Sequence, residues 1–146
     1  MTSAEMPVLF ACTQNAVRSV MAKALFEKRL LSAGRPAVSC GLIEGPLDGF
    51  VVSVLAETGV DVSSHEAQAF EALDPAQFDL IISFSREAED KARRWARPGC
   101  TTLFWDVRPP LVSERSREGT LDSYRQIRDE IDGLLTEFFS ENKQKT

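Results

Sequence analysis

The 146 residues include 43% hydrophobic and 27% charged residues, ordinary values for one globular domain spanning 1–146. A net charge of −5 and a pI of about 5.0 argue against general nucleic-acid binding, which needs a basic surface. No apolar run reaches the roughly 18 residues that span a bilayer, and the N-terminus lacks the pattern of a signal peptide. We therefore expect a cytoplasmic protein without nucleic-acid or membrane partners.

The cysteine and histidine content argues against a metal site. The chain has three cysteines, Cys12, Cys40 and Cys100, and a single histidine, His65. This odd, widely spaced set does not predict a disulfide framework, and it does not offer the three or four soft ligands of a zinc site. We expect neither metal nor cofactor, and we interpret His65 as a structural residue that bonds to backbone.

Strand and helix patterns alternate from the N-terminus. A short apolar run predicts a buried strand over 7–12. Apolar residues at helical spacing from Val17 onward predict a helix that Gly34 and Pro36 end. A second, weaker strand is predicted over 37–40.

The pattern continues through the second half. Asp48 is expected to cap a helix that ends at Gly59. The run 78–84 has the continuous apolar centre of a parallel strand, a charged helix follows over 86–97, and 101–105 is a fourth strand.

The last helix has the strongest pattern, an apolar stripe at steps of three and four residues from Leu121 to Phe138. The alternation of strands and helices predicts an α/β fold, with a parallel sheet covered by helices on both faces. Ligands of such sheets bind beyond the carboxyl ends of the strands, and Cys12 stands at such an end.

The segment between the first strand and the first helix reads Cys12-Thr-Gln-Asn-Ala-Val-Arg18-Ser19. Backbone N–H groups of a tight loop and a helix start favour an anion, and together with a guanidinium they favour a thiolate over a thiol. Arg18 can grip two phosphoryl oxygens, a thiolate facing phosphorus is a nucleophile, and Ser19 can donate a hydrogen bond to the sulfur. Alternatively, Cys12 is a buried strand-end residue and Arg18 lies on the surface.

Residues 8–25, Val-Leu-Phe-Ala-Cys-Thr-Gln-Asn-Ala-Val-Arg-Ser-Val-Met-Ala-Lys-Ala-Leu, resemble the opening of low-molecular-weight protein tyrosine phosphatases and the related arsenate reductases. The segments 57–65, 78–82 and 119–138 are similar to later parts of the same family. The resemblance implies a three-layer sandwich with a four-stranded parallel sheet in the order 2-1-3-4.

The resemblance also implies roles for individual residues. Cys12 is the expected nucleophile, Arg18 the phosphate clamp, Ser19 the group that tunes the thiolate, and Asn15 the residue that holds a strained loop backbone. The expected phosphate-binding residues are those that supply N–H groups, Thr13, Gln14, Asn15, Ala16 and Val17, together with Arg18 and Ser19.

Three positions depart from the family pattern. Gln14 stands where the family usually has glycine, and Val17 stands where many members have a second, protective cysteine. Pro109 stands where the family places its aspartic general acid, and such an acid contributes roughly 10²–10⁴-fold to a rate. Asp106 is the nearest candidate substitute, and Glu114 lies further along. The alternative interpretation is that Asp106 is a solvated strand-end residue.

The leading hypothesis is a phosphomonoester hydrolase that forms a phosphocysteine on Cys12. Its expected substrates are phosphotyrosine proteins or small aryl phosphates, with phosphate and vanadate as inhibitors, and its activity is expected to be slow because of Pro109. One alternative is a catalytically weak phospho-ligand binder. Another is an arsenate reductase, in which Cys40 alone would have to serve as the resolving cysteine.

Overall fold

A four-stranded parallel sheet forms the centre of the computed structural model, which describes residues 6–29 and 35–144. The strands lie in the order β2-β1-β3-β4. Their bounds are β1 (Val8–Cys12), β2 (Ala37–Gly41), β3 (Leu80–Ser83) and β4 (Thr101–Phe104). The two inner strands, β1 and β3, are buried along their whole length, as continuous apolar runs in a parallel sheet require. The predicted sheet and its strand order are confirmed.

Helices cover both faces of this sheet, which confirms the predicted three-layer arrangement. Three of them pack together on one face, and the third helix in chain order packs on the other with Phe70 and Phe78. Their bounds are α1 (Arg18–Arg29), α2 (Gly49–Ala56), α3 (Arg86–Trp95) and α4 (Arg117–Gln144). Two single-turn 3₁₀ segments, Phe70–Ala72 and Pro75–Gln77, precede β3 and had no counterpart in the predicted elements.

The alternation of side chains along β1 decides which face each residue serves. Val8, Phe10 and Cys12 belong to the core beneath α1, α2 and α4, whereas Leu9 and Ala11 belong to the core beneath α3. Successive residues of a strand point to opposite faces, so the last residue of β1 directs its side chain toward the α1 side. This register places the Cys12 thiol next to the start of the helix that follows it.

Helix α2 has the predicted cap and stop. The Asp48 carboxylate accepts hydrogen bonds from the backbone N–H groups of Phe50 and Val51, which would otherwise lack partners at the helix start. At the other end Gly59 adopts φ 85°, and the N–H of Val60 returns to the carbonyl of Leu55. A positive φ is the conformation that glycine supplies at a helix end.

The other boundaries differ from the predictions by a few residues. β3 is shorter than the predicted 78–84, and α3 ends at Trp95 rather than at 97. α4 runs past the predicted stripe to Gln144. The predicted stop of the first helix at Gly34 lies outside the described residues. None of the helices in the described ranges is long and apolar enough to cross a membrane.

Candidate active site

The loop that follows β1 wraps around the end of the strand. Cys12 is buried, the loop covers residues 13–17, and α1 begins at Arg18. The neighbouring strand β2 ends at Gly41, which pairs with Cys12. A Cβ atom on Gly41 would lie 2.7 Å from the backbone nitrogen of Asn15, so a side chain there would push the loop out of place. The loop can therefore close only because β2 ends in glycine.

The loop turns its carbonyl groups outward. The carbonyl of Thr13 accepts from the N–H groups of Leu42 and Ile43, and that of Gln14 accepts from Gly45. Among the described residues, no protein group accepts a hydrogen bond from the backbone N–H groups of residues 13–17. Consecutive N–H groups without partners form a concave nest that binds anions. The N–H groups of this loop are thus available to an anion, and their binding of phosphoryl oxygens stays a prediction.

Asn15 holds the loop in its conformation. Its φ is 54°, and it is the one non-glycine residue with a positive φ in the described ranges. The fully buried side chain accepts a hydrogen bond from the N–H of Gln68 at 3.0 Å and donates one to Ser19 at 2.9 Å. The backbone carbonyl of Asn15 contacts Nε2 of His65 at 3.0 Å. Contacts with Gln68, Ser19 and His65 thus hold Asn15 in its left-handed conformation.

The hydrogen bonds of Asn15 also decide the direction of the Ser19 hydroxyl. Because Oδ1 of Asn15 accepts from the Gln68 backbone, the other amide atom facing Ser19 must be the donor Nδ2. Ser19 Oγ accepts that bond, so its own proton is free for Cys12 Sγ, which lies 2.9 Å away. A hydroxyl proton aimed at sulfur stabilises a thiolate and improves it as a leaving group.

Arg18 is held by backbone carbonyls of the segments that follow β3 and β4. Its Nη1 donates to the carbonyls of Phe84 and Val107 at 2.6 and 2.8 Å. Burial lowers the pKa of Arg18 from its ordinary value, while the charges of Cys12, Glu87 and Asp106 act in the opposite direction. A guanidinium stays charged in proteins despite such a shift. Within the described ranges no protein group accepts a hydrogen bond from Nε or Nη2 of Arg18, and the grip of these atoms on an anion stays a prediction.

A cavity of about 220 Å³ lies over the thiol. Its lining residues come from the loop, from the first turn of α1 and from the segment after β4: Cys12, Thr13, Gln14, Ala16, Val17, Arg18, Pro109 and Pro110. Gln14 lies against Gly45, where a Cβ atom would come within 2.8 Å of the Cβ of Gln14. The side chain that replaces the family's usual glycine is thus accommodated by a second glycine.

The two candidate acids lie outside this lining. Asp106 and Glu114 are both exposed, and neither is among the residues that line the cavity. Asp106 is close enough to Arg18 for its charge to raise the pKa of the guanidinium. The interpretation of Asp106 as a solvated strand-end residue fits this position, and its role as an acid stays a prediction.

The other two cysteines are not placed to react with Cys12. Cys40 is fully buried and belongs to the core beneath α3, on the opposite face of the sheet from Cys12. Burial raises the pKa of Cys40 well above its ordinary value, with the charges of Cys12 and Glu71 adding to the effect. Cys100 precedes β4, at the edge of the sheet where the strands begin. Neither Cys40 nor Cys100 lines the cavity that contains Cys12.

A second, larger groove of about 690 Å³ lies behind the loop. It runs along α1 and includes Lys28, Asp61 and His65, but it does not include Cys12 or Arg18. The reactive groups therefore belong to the smaller cavity. His65 connects the two regions through its contact with the Asn15 carbonyl, which agrees with its predicted structural role.

Substitutions of Asn15 separate backbone strain from hydrogen bonding. Asn15→Ala is expected to lower the free energy of unfolding by about 3 kcal/mol, because a left-handed alanine costs about 1–2 kcal/mol and each lost hydrogen bond about 1 kcal/mol. Asn15→Gly relieves the strain but not the lost bonds, so we expect it to be about 1 kcal/mol more stable than the alanine variant. Urea unfolding measures both, and equal stabilities would contradict the strain at this residue.

Comparison with known proteins agrees with this geometry. The family model described as low molecular weight phosphotyrosine protein phosphatase matches residues 7–146. An arsenate reductase of Bacillus subtilis is 26% identical over 93% of this chain and 96% of its own. A probable low molecular weight protein-tyrosine-phosphatase, EpsP, of Ralstonia solanacearum is 30% identical over 63% of this chain and 66% of its own.

A solved structure has the same architecture. The low molecular weight protein tyrosine phosphatase of T. tengcongensis superposes with a TM-score of 0.78 and 24% identity, over 93% of this chain and 99% of its own. The family model thus covers nearly the whole chain, and the fold and the loop after β1 agree with it. The chain belongs to the low molecular weight phosphotyrosine protein phosphatase family.

Proposed function

We propose that this protein hydrolyses phosphate monoesters through a phosphocysteine on Cys12. The observation that carries the proposal is the convergence on one cavity of a buried thiol, a serine proton aimed at it, unpaired loop N–H groups and a fixed guanidinium. These groups stabilise the charge that develops on a phosphoryl group during transfer. The arrangement therefore suits an anion that must be both bound and attacked.

The proposed reaction has two steps. The Cys12 thiolate attacks phosphorus while Arg18 and the N–H groups of residues 13–17 hold the equatorial oxygens, and the leaving oxygen departs with its electron pair. Water then attacks the phosphocysteine, and the thiolate leaves with help from the Ser19 hydroxyl. Asp106 is the remaining candidate for a general acid, although it does not line the cavity.

The proposed substrates are phosphotyrosine proteins or small aryl phosphates, with phosphate and vanadate as competitive inhibitors. The names of the family and of the Ralstonia relative support this class. The cavity walls of Ala16, Val17 and the two prolines offer apolar contact to an aryl group. The cytoplasmic location expected from the sequence remains part of the proposal.

Trapping the intermediate tests the proposal. After mixing with p-nitrophenyl phosphate and a rapid denaturing quench, we expect phosphate on the peptide that contains Cys12. The peptides of Cys40 and Cys100 are internal controls and should carry none, because neither thiol lines the cavity. Mass spectrometry of the digested protein makes the measurement. If p-nitrophenolate is released while Cys12 stays unmodified at every quench time, the phosphocysteine route is wrong.

The alternative of a phospho-ligand binder has one observation in its favour, the position of Pro109 on the cavity wall. In that case phosphate would bind without Cys12-dependent release of p-nitrophenolate. Arsenate reduction with Cys40 as the resolving thiol has less support, even though the Bacillus subtilis relative is named for that reaction. Cys40 lies on the opposite face of the sheet, and burial raises its pKa.

A further inference from the structure

None of the described residues that line the cavity over Cys12 can give a proton to a departing oxygen. Among the described residues that line it, the ionisable ones are the nucleophile Cys12 and the guanidinium Arg18, and none carries a carboxyl, imidazole, phenol or ammonium group. Arg18 does not release its proton in proteins. Cys12 is consumed as the nucleophile. A leaving group in this cavity therefore receives no proton from these lining residues.

The wall formed by Pro109 and Pro110 adds no hydrogen-bond donor. Proline has no backbone N–H, so two successive residues beside the cavity contribute neither a side-chain nor a main-chain proton. The hydroxyl of Thr13 donates to Ser85 at 3.1 Å, which uses its proton elsewhere. Gln14 supplies a neutral amide, which can bond to a leaving oxygen but cannot transfer a proton to it.

Leaving groups differ greatly in their need for a proton. A phenol has a pKa of about 10, whereas a carboxylic acid has one of about 4, so a carboxylate departs readily at neutral pH without protonation. General acid catalysis contributes roughly 10²–10⁴-fold where the leaving oxygen is basic. Without a general acid, the rate should therefore fall strongly for a phenol or alcohol leaving group and only slightly for a carboxylate.

We propose that acyl phosphates, the mixed anhydrides of a carboxylic acid and phosphate, are the substrate class that this cavity hydrolyses best. This inference rests on the proposed function and changes its leaving group. The Cys12 thiolate forms the S–P bond while the P–O bond breaks, and the electron pair leaves on the carboxylate. Water then breaks the S–P bond, which returns the thiolate and releases dihydrogen phosphate, so that neither step takes a proton from the protein.

A leaving-group series tests the inference. We expect kcat/KM for acetyl phosphate to exceed that for p-nitrophenyl phosphate, and kcat/KM for phenyl phosphate to be about 10²-fold or more below that for p-nitrophenyl phosphate. The Cys12→Ser variant gives the background for each substrate, since acetyl phosphate also decomposes in water. A shallow series, or acetyl phosphate slower than p-nitrophenyl phosphate, overturns the inference.

Variants at Pro109 show whether the missing proton is the cause. Pro109→Asp is expected to raise the ratio of phenyl phosphate to acetyl phosphate turnover by about 10²–10⁴-fold. Pro109→Asn is the matched control, because asparagine has nearly the same shape as aspartate but no proton to transfer. It should not raise the ratio of phenyl phosphate to acetyl phosphate turnover. Circular dichroism and thermal unfolding establish that both variants fold. An equal rise in both variants contradicts the inference.

A third variant tests the remaining acid. One outcome is that Asp106→Asn makes the rate depend more steeply on the leaving group and removes one limb of the pH–rate profile. That result would identify Asp106 as the general acid and contradict the inference, while the proposed nucleophilic role of Cys12 would be unaffected. An unchanged series supports the inference. Absence of Cys12-dependent turnover with every substrate, acetyl phosphate included, overturns the proposed function itself, so the two failures are distinguishable.

Discussion

Replacement of Cys12 by serine is expected to reduce p-nitrophenyl phosphate hydrolysis at least about 10⁴-fold, as for other enzymes that lose their nucleophile. A serine hydroxyl keeps its proton at neutral pH, and no base lines the cavity within the described residues to remove it. Binding should survive, because Arg18 and the loop N–H groups remain. Phosphate affinity is expected to be retained or increased, since the serine side chain is neutral and its hydroxyl can donate a hydrogen bond to the anion.

Steady-state kinetics and titration calorimetry with inorganic phosphate measure the two effects separately. Cys100→Ser is the matched control, because it makes the same chemical change at a thiol outside the cavity, at the start of β4. We expect that control to keep wild-type turnover. Equal rates for wild type and Cys12→Ser, with phosphate still bound, would instead favour the phospho-ligand binder.

Arg18→Lys is expected to lower kcat/KM by about 10²–10³-fold, the loss typical of removing a donor aimed at transition-state charge. Nη1 of Arg18 is held by the carbonyls of Phe84 and Val107, which orients the rest of the planar group. Lysine keeps the positive charge but has a single nitrogen, so it cannot both reach those carbonyls and grip two phosphoryl oxygens. The effect therefore reports geometry rather than charge.

Arg86→Lys is the control for this variant, since Arg86 is exposed at the start of α3 and lies over the ring of Phe104. It is expected to retain wild-type kinetics with p-nitrophenyl phosphate. Thermal unfolding of Arg18→Lys distinguishes a misplaced donor from a damaged fold. If Arg18→Lys keeps full activity, bidentate recognition by Arg18 is wrong.

The sequence predicts the two inner strands well, because β1 and β3 carry the continuous apolar runs that are typical of buried parallel strands. It also predicts the loop, since Cys12, Asn15, Arg18 and Ser19 lie close together in the chain and each has a distinctive chemistry. In the structure hydrogen bonds link Cys12, Ser19 and Asn15, and Cys12 and Arg18 line one cavity. Local patterns are sufficient where the partners are local.

The supports of the loop escaped prediction because they come from distant parts of the chain. Gln68 reaches Asn15 across 53 positions, and it does so with a backbone N–H that any residue could supply. Gly41 is important because its lack of a side chain leaves room for the backbone of the loop at Asn15. A glycine at the end of a strand is too common for the sequence alone to indicate this role. The sequence also did not predict whether Asp106 faces the cavity or the solvent. Asp106 lies only three positions before Pro109 on the cavity wall, yet it is exposed, and the path of the loop between them decides this.

The anchoring of Arg18 has a consequence for the order in which the protein matures. Its two carbonyl partners lie 66 and 89 positions away, so the site is complete only after β3 and β4 have docked. Contacts between such distant residues form only after the chain entropy of closing a long loop has been lost. During refolding, catalytic activity should therefore appear after most of the helical structure has formed. An anion that binds only the completed loop will also stabilise the folded protein.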